Sequence, residues 1–392
     1  MKVLIVPMAA LAETAGSFSR CALMAEVFHK AGIEVATCIA RDLNYREIKE
    51  IKNYYLDIPM PFGMPGFIAT KTFPLAQRLG ITARKTVSSF DQVLQFTGNL
   101  DYRYLKKSVQ SISRAIEDFE PDVVYSEFNI SAMIAAKLAR KRLFITVSFP
   151  TQHAYANRPE LARGLNRLLG ELGLDRVESA LQIFDLADEC FCPSIRELEP
   201  IEKEKVTFCG AWKKVCTEEN VRNKILVYMG NGTISAPKME RVIRDAFRDS
   251  AYEVYIASGY LTERTEENLH IAARWDFDRL LREAVLFINH GGQNSVIDGV
   301  LYEVPQIIVP GKVFERRYNA QAIVRNHAGV MIDNGDFQAV RLRQEMEKVV
   351  RAEEIKENIK NLAGKLQQQG GLETIIGHLQ NIAGGNMRGD NG

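Results

Sequence analysis

At 392 residues, with 46% hydrophobic and 25% charged positions, the chain has the composition of an ordinary globular protein and is too long for one core, so two domains are expected. Lys and Arg total 50 against 49 Asp and Glu, a net charge of +1 that gives no reason to expect a nucleic acid partner. The six cysteines form no C-x-x-C pair and match no histidine spacing, so no metal site is expected, and Cys190 and Cys192 read as strand alternation.

The opening MKVLIVPMAALAETAG reads as a first strand and not a signal peptide, and no apolar run approaches the ~18 residues of a membrane span. A cytoplasmic protein without an integral membrane segment is the expectation. Lys2–Pro7 is a strand of the buried type. Phe18, Cys21, Ala22, Ala25 and Phe28 follow at helical spacing, with Ser17 or Ser19 as a cap and Gly32 as the stop before a second strand, Ile33–Ile39. This is a βαβ unit, the building block of parallel sheets.

From Asp57 to Gly98 the pattern loosens, and Pro59, Pro61, Pro65 and Pro74 argue against a continuous helix or a central strand. Met60, Phe62, Met64, Phe67 and Phe73 there read as an irregular apolar wall for a small molecule, the alternative being a loop that covers the sheet edge. Tyr104–Phe119 is a helix, Pro121–Tyr125 a strand ending at Ser126-Glu127, Ile130–Arg140 a helix and Leu143–Ser148 a strand. Arg158–Leu186 reads as one or two amphipathic helices leading to a strand at Glu189–Cys192.

The polar, aperiodic stretch between Trp212 and Lys224 marks the domain boundary. A second alternating series then begins, with a strand at Ile225–Met229, a turn at Gly230-Asn231-Gly232-Thr233, a helix at Lys238–Phe247, strands at Glu253–Ala257 and Leu269–Ala272, and a helix near Phe277–Glu283. Val285–Ile288 turns abruptly into His290-Gly291-Gly292 and then into a segment with Val296, Val300 and Leu301 at helical spacing. Strand, glycine turn and helix in that order aim unpaired helix N–H groups into the turn, which favours an anion. His290, Asn294 and Ser295 add donors, and Asp298, one helical turn past Asn294, can reach a ribose. Helices follow at Phe337–Arg351, Ile355–Gln368 and Glu373–Ile382, and the residues from Gly384 onward are expected to be disordered.

The order His290, Gly291, Gly292, Asn294, Ser295, Asp298, Pro305, Pro310, Glu315-Arg316, Asn319 resembles the donor-site signature of the family-one glycosyltransferases, the UDP-glycosyltransferase and macrolide glycosyltransferase-like enzymes. The resemblance implies the GT-B architecture: an α/β fold of two Rossmann-like parallel-sheet domains facing across a cleft. Residues 1–213 would bind the acceptor, 214–222 form a linker, 223–368 bind the nucleotide sugar, and 369–392 supply a C-terminal helix returning to the first domain and then the tail. The acceptor wall would be Met60, Phe62, Met64, Phe67 and Phe73. The diphosphate would be held by His290 and the helix amides with no metal and no further cofactor. Gly230, Gly232 and Thr233 resemble the family's Gly-Ser/Thr loop near the diphosphate. The partners implied are a UDP- or dTDP-sugar and a small apolar hydroxyl-bearing acceptor, with a homodimer left open.

The chain departs from the family at the positions that carry the chemistry. Gly16 keeps its place, but the family's basic histidine falls on Ser17 and its aspartate partner on Glu127. Glu127 is one candidate base, a carboxylate at a strand end facing the cleft. Glu13 or His153 is a second, and a first domain without a base is the third. The register of the family's base-stacking tryptophan and the glutamine after it gives Arg274 and Phe277, with Trp275 one residue away and able either to stack a pyrimidine or to pack in the core. Arg316, or Arg317, stands where the family has a sugar-binding glutamine, so a donor sugar other than plain glucose, acidic or deoxy, is expected. The rival readings are a nucleotide-sugar hydrolase or epimerase, whose first-domain segment GSFSRCALMAE resembles, and a non-catalytic nucleotide-sugar-binding protein.

Overall fold

The computed structural model describes residues 1–11, 16–42, 45–64, 66–67, 72, 86–215, 221–230 and 234–389. Its strands are β1 Lys2–Pro7, β2 Glu34–Ala40, β3 Lys52–Leu56, β4 Val123–Glu127, β5 Arg142–Thr146, β6 Glu189–Cys192, β7 Val206–Phe208, β8 Lys224–Tyr228, β9 Glu253–Ala257, β10 Arg264–Glu266, β11 Leu269–Ala272, β12 Ala284–Asn289, β13 Gln306–Ile308 and β14 Gly329–Met331. They form two seven-stranded sheets in the orders 3-2-1-4-5-6-7 and 10-11-9-8-12-13-14. The first is parallel throughout, and in the second only β10 runs antiparallel, on β11. Helices on both faces explain the near-continuous apolar runs of the central strands, since such strands are covered on each side.

Two local signals fix the connections that matter for the cleft. Asp101 caps the helix Tyr102–Phe119 by accepting from the amides of Arg103 and Tyr104 at 3.0 Å each. Asn129 caps the helix Ile130–Leu138, accepting from Ala132 N at 3.0 Å, and its Nδ2 donates to the Pro7 carbonyl at 3.0 Å, which ties the end of β1 to the end of β4. Between them Phe128 holds a left-handed backbone, φ 60°, a conformation that costs a non-glycine residue of order 1–3 kcal/mol and recurs at functional sites.

Several expectations are corrected here. The loose stretch before Gly98 contains a regular helix, Phe90–Thr97, ended by Gly98 at φ 85°. Arg158–Leu186, expected to hold one or two helices, has one α-helix, Arg163–Glu171, and its remainder is 3-10 turns at Pro159–Ala162 and Ala180–Leu186 with loop between. The short strands β3, β7 and β10 carry no buried-strand signature because they lie on or next to sheet edges and are partly exposed.

The chain passes between the sheets twice. After β6, Ile195 and Leu198 already join the second-domain core, and Gly371 N donates to the Cys209 carbonyl at 2.8 Å where the chain returns. The last helix, Leu372–Gly389, then buries Leu372, Ile375, Ile376, Leu379 and Ile382 against Cys21, Met24, Ala25 and Phe28 of the helix Gly16–Lys30.

The two sheets also touch across the cleft. Val87 and Val313 form a parallel bridge, with Val87 N to Lys312 O at 3.1 Å and Phe314 N to Val87 O at 2.9 Å. Phe149 of the first domain stacks on Tyr318 of the second with centroids 4.8 Å apart.

Candidate functional site

In each sheet the strand order reverses at one point, between β1 and β4 in the first and between β8 and β12 in the second. Ligands of open parallel sheets sit beyond the carboxyl ends of the strands at such points. The first reversal ends in Pro7 and Glu127, the second in Tyr228 to Gly230 and Asn289 to His290. Among the described residues, one side chain joins them. Arg20, on the helix Gly16–Lys30, places Nε 2.5 Å from Glu127 Oε1 and Nη1 2.8 Å from Asn294 Oδ1.

The second-domain side is the turn that the sequence singled out. Gly291 adopts φ 82°, its N–H donates to Asn289 Oδ1 at 2.9 Å, and its carbonyl accepts from Asn319 Nδ2 at 2.9 Å. The helix Gln293–Leu301 starts at Gly292, and its first intrahelical bond is Val296 N to Gly292 O, so the amides ahead of it are open to an anion.

His290 is 7% exposed, and its ring lies against Gly230 and Gly292, where an added Cβ would stand 3.0 and 2.6 Å from ring atoms. Burial and then Arg316 depress its pKa to about 3, with the Tyr228 carbonyl opposing. The ring is therefore neutral near pH 7. A carbonyl can only accept, so the 3.4 Å contact to Tyr228 O assigns the proton to Nδ1 and leaves Nε2 an acceptor.

Asp298 lies 3.7 Å from Lys213 Nζ, and Lys213 also pairs with Asp278. Burial raises the Asp298 carboxyl to about 6, with Asp278 adding to the rise and Lys213 opposing it. Ser295 is buried, and Gly230 adopts φ 53°. Glu315 and Arg316 open the helix Phe314–Arg325. Burial raises the Glu315 carboxyl while Arg316 and Arg20 oppose it, and burial lowers the Arg316 guanidinium while Glu315 opposes that. Arg317 is committed elsewhere, to Asp333 at 2.7 Å.

Trp275 is tied down by Nε1 donating to Ile256 O at 3.0 Å and meets Tyr255 edge-on, while Phe277 meets Tyr228 edge-on at 5.3 Å. Arg274 is exposed. Gly232 and Thr233 lie outside the described residues.

The first-domain candidates are more scattered. Glu127 is 0% exposed. Burial raises its carboxyl, and the charge of Arg20, then the Thr146 hydroxyl, pull it back. Ser17 is half-buried at the start of its helix. His153 Nδ1 is 3.0 Å from Ser179 Oγ, within the first domain. Met60 packs against Gly98, whose added Cβ would meet the Met60 carbonyl at 2.1 Å. Met64 is half-buried, and Phe67 is 73% exposed and so lines no closed wall. Glu13, Phe73 and the side chain of Phe62 lie outside the described residues.

Sequence reasoning missed Arg20, Lys213 and Glu199. A signal for Arg20 was present: it is a lone cation among the apolar helical positions 18, 21, 22 and 25. Glu199 is 3% exposed and accepts from Phe149 N at 2.6 Å and Gln293 Nε2 at 3.1 Å, so it joins the two halves. Burial raises its carboxyl from 4.5 to about 8, against the pull of those two hydrogen bonds. The folded state thus holds a proton that the unfolded chain has released between these values. Its contribution to stability is fully present below about 4.5 and is lost as pH rises through about 8. Urea midpoints measured from pH 5 to 8.5 are expected to fall, and Glu199→Gln to flatten that fall; an unchanged slope would assign it to another group.

Residues 253–381 match the family of the erythromycin biosynthesis protein CIII-like C-terminal domain. The chain is 24% identical over 201 residues to the NDP-glycosyltransferase YjiC of Bacillus subtilis (strain 168), covering 49% of this chain and 48% of that protein. It is 22% identical over 172 residues to the demethyllactenocin mycarosyltransferase of Streptomyces fradiae, covering 43% and 36%. The alignments to the YjiC and YdhE proteins of Bacillus thus span somewhat under half the length of those relatives. Among solved structures, the calicheamicin glycosyltransferase CalG4 superposes with a TM-score of 0.73 at 16% identity over 98% of both chains. The spinosyn rhamnosyltransferase SpnG complexed with thymidine diphosphate superposes with a TM-score of 0.70 at 14% identity, over 97% of this chain and 100% of that one. These neighbours have the GT-B fold.

Proposed function

We propose that this chain, a relative of the family-one glycosyltransferases with the GT-B fold and an EryCIII-like C-terminal domain, transfers a sugar from a nucleoside diphosphate to a hydroxyl of a small apolar acceptor. The observation that carries this reading is the joining of the two strand-order reversals by Arg20, which brings the glycine turn of the second domain to the strand ends of the first. A nucleotide sugar on the turn would present C1 to an acceptor held by the first domain. That the relatives include an NDP-glycosyltransferase and that SpnG was solved with thymidine diphosphate favours a UDP or dTDP donor.

The residues have a division of labour. The open amides before Val296, with His290 and Ser295, hold the diphosphate; Asp298 accepts from the ribose hydroxyls once Lys213 gives way; Glu315 accepts from a sugar hydroxyl. Arg316 in place of a neutral amide suits an acidic or deoxy sugar better than glucose. Helix amides and arginines meet the diphosphate's charge without a divalent cation, and a single displacement opposite the diphosphate inverts C1. The acceptor oxygen bonds to C1 and gives its proton to a base, a step worth about 10²–10⁴-fold. Glu127 is enclosed with one oxygen committed to Arg20, which favours Glu13 or His153 over it as the base.

The test is calorimetry of UDP, dTDP and GDP with the intact chain, then turnover with the bound nucleotide's sugars and an acceptor set, with and without EDTA. Selective diphosphate binding and acceptor-dependent, EDTA-insensitive release of the nucleotide are expected. Release without acceptor would mean a hydrolase, and binding without release a non-catalytic partner.

The Asp298 carboxyl gives a second check. A ribose hydroxyl needs it ionised, so nucleotide affinity is expected to hold above about pH 6 and to fall as pH drops through that value. Asp298→Asn should bind more weakly and lose this limb; a limb that persists would exclude Asp298 from the ribose.

A further inference from the structure

We propose that Arg20 is the first domain's contribution to the clamp on the donor diphosphate, and that the buried Glu127 is the positioning residue that aims it. This deepens, and rests on, the donor-site reading above.

Three contacts fix the guanidinium. Nε meets Glu127 Oε1 at 2.5 Å, the guanidinium carbon lies 5.5 Å from the centre of the Phe128 ring, and Nη1 crosses to Asn294 Oδ1 at 2.8 Å. The first two come from one strand end, where Phe128 is held at φ 60° and Glu127 is fully enclosed. A ring on a left-handed backbone and a buried carboxylate thus both meet the one cation. The third contact delivers that cation to the second residue of the helix Gln293–Leu301, at the end whose amides favour an anion.

A guanidinium carries five N–H donors in a fixed fork, and among the described residues no group accepts from Nη2. Arg20 also lines a cavity of about 200 Å³ together with Ser19, Asn294 and Asp298, the last two being the residues read as the phosphate and ribose sides. Whole small-molecule sites run to roughly 300–1,000 Å³, so this space is one subsite and not a complete donor pocket.

The chemistry suits the placement. When the C1–oxygen bond breaks, its electron pair stays on the diphosphate, and charge grows where the guanidinium and the helix amides converge. The acceptor oxygen takes C1, and its proton goes to the base discussed above. A planar fork meets two phosphate oxygens at once, which a lysine cannot do. Because Arg20 and the helix belong to different domains, the charge on the donor is met in full only when the cleft is closed.

The experiment compares wild type with Arg20→Ala, Arg20→Lys, Glu127→Gln and Glu127→Ala, reading UDP and dTDP affinity, uridine and thymidine affinity, kcat, KM and the pH profile, with melting temperature as the control for folding. Arg20→Ala should weaken diphosphate binding and lower kcat about 10²–10³-fold, the loss typical of one oxyanion donor. Nucleoside affinity should hold, since a nucleoside has no phosphate. Arg20→Lys keeps charge and bulk, guards against a misfolded alanine variant, and should recover part of the loss. Glu127→Gln retains an acceptor for Nε and should lower kcat modestly with the pH limbs in place, while Glu127→Ala should resemble Arg20→Ala. Wild-type kcat and diphosphate affinity in folded Arg20→Ala would overturn the proposal while leaving the donor site standing. Loss of the ascending pH limb in Glu127→Gln would overturn it in favour of Glu127 as the base. Absence of diphosphate binding by the wild type would remove both the proposal and the donor-site reading.

Discussion

His290→Ala is expected to weaken nucleoside diphosphate binding roughly 10- to 100-fold, matching the ~1.5–3 kcal/mol of a hydrogen bond to a charged group. It should also abolish a proton uptake that accompanies binding in the intact protein. In the free protein the ring is neutral, with a pKa of about 3, and its one N–H is turned to the Tyr228 carbonyl. To donate to a phosphate through Nε2 it must first gain a proton. The bound anion favours that gain, so the pKa rises on binding. The sign follows: affinity should strengthen as pH falls through the raised value in the complex, until the free value near 3 is approached. This runs opposite to the limb expected from Asp298, and Asp298→Asn isolates it. Calorimetry in two buffers of different ionisation enthalpy measures the protons taken up. No uptake, with unchanged affinity in His290→Ala, would make the histidine a filler between two glycines.

Gly291→Ala should cost more than any other change in the turn. At φ 82° an alanine carries the left-handed penalty of ~1–2 kcal/mol, and its Cβ would stand 2.7 Å from the Arg316 carbonyl and 3.0 Å from Ile308 Cγ2. Backbone on one side and core on the other leave nothing cheap to move. A stability loss of about 2–4 kcal/mol is expected, with turnover down at least ~100-fold, because displacement of the helix start by an ångström is enough for that. Gly32→Ala is the control. Its φ of 79° is nearly the same, but an added Cβ there meets nothing within 4 Å. Urea midpoints and kcat measured on both variants separate strain from collision. Equal losses would mean that the approach of Arg316 to the turn has no consequence.

The parts that the sequence revealed are those in which period and punctuation agree. β12, the glycines and the helix Gln293–Leu301 are contiguous, so hydrophobic spacing and turn chemistry specify them together. The order of strands and helices in both halves was legible for the same reason and gave two α/β domains, while the GT-B arrangement came from the resemblance of the donor stretch to the family-one glycosyltransferases. What stayed hidden was of two kinds. β3 and β7 and the helix Phe90–Thr97 are short, lie at edges or follow a proline-rich stretch, and are specified by neighbours more than by their own period. The contact that joins the cleft was hidden by distance along the chain, since Arg20 and Asn294 are 274 positions apart. Glu127 was found by its place at a strand end, but its partner Arg20, 107 positions away along the chain, was not. Trp275 carried two readings, stacking on a base or packing in the core, and its ties to the Ile256 carbonyl and Tyr255 come from strands that the tryptophan's own position does not reveal.

The last helix has a consequence for how the protein is made. Its apolar face completes the layer that covers Cys21, Met24, Ala25 and Phe28, although these residues leave the ribosome long before Leu372–Gly389 does. At ~5–20 residues per second the first sheet waits tens of seconds with one flank uncovered while the second domain is synthesised and folds. The domain that begins first therefore finishes second. A nascent chain stalled before Leu372 should carry a folded second half and a first half that chaperones still recognise.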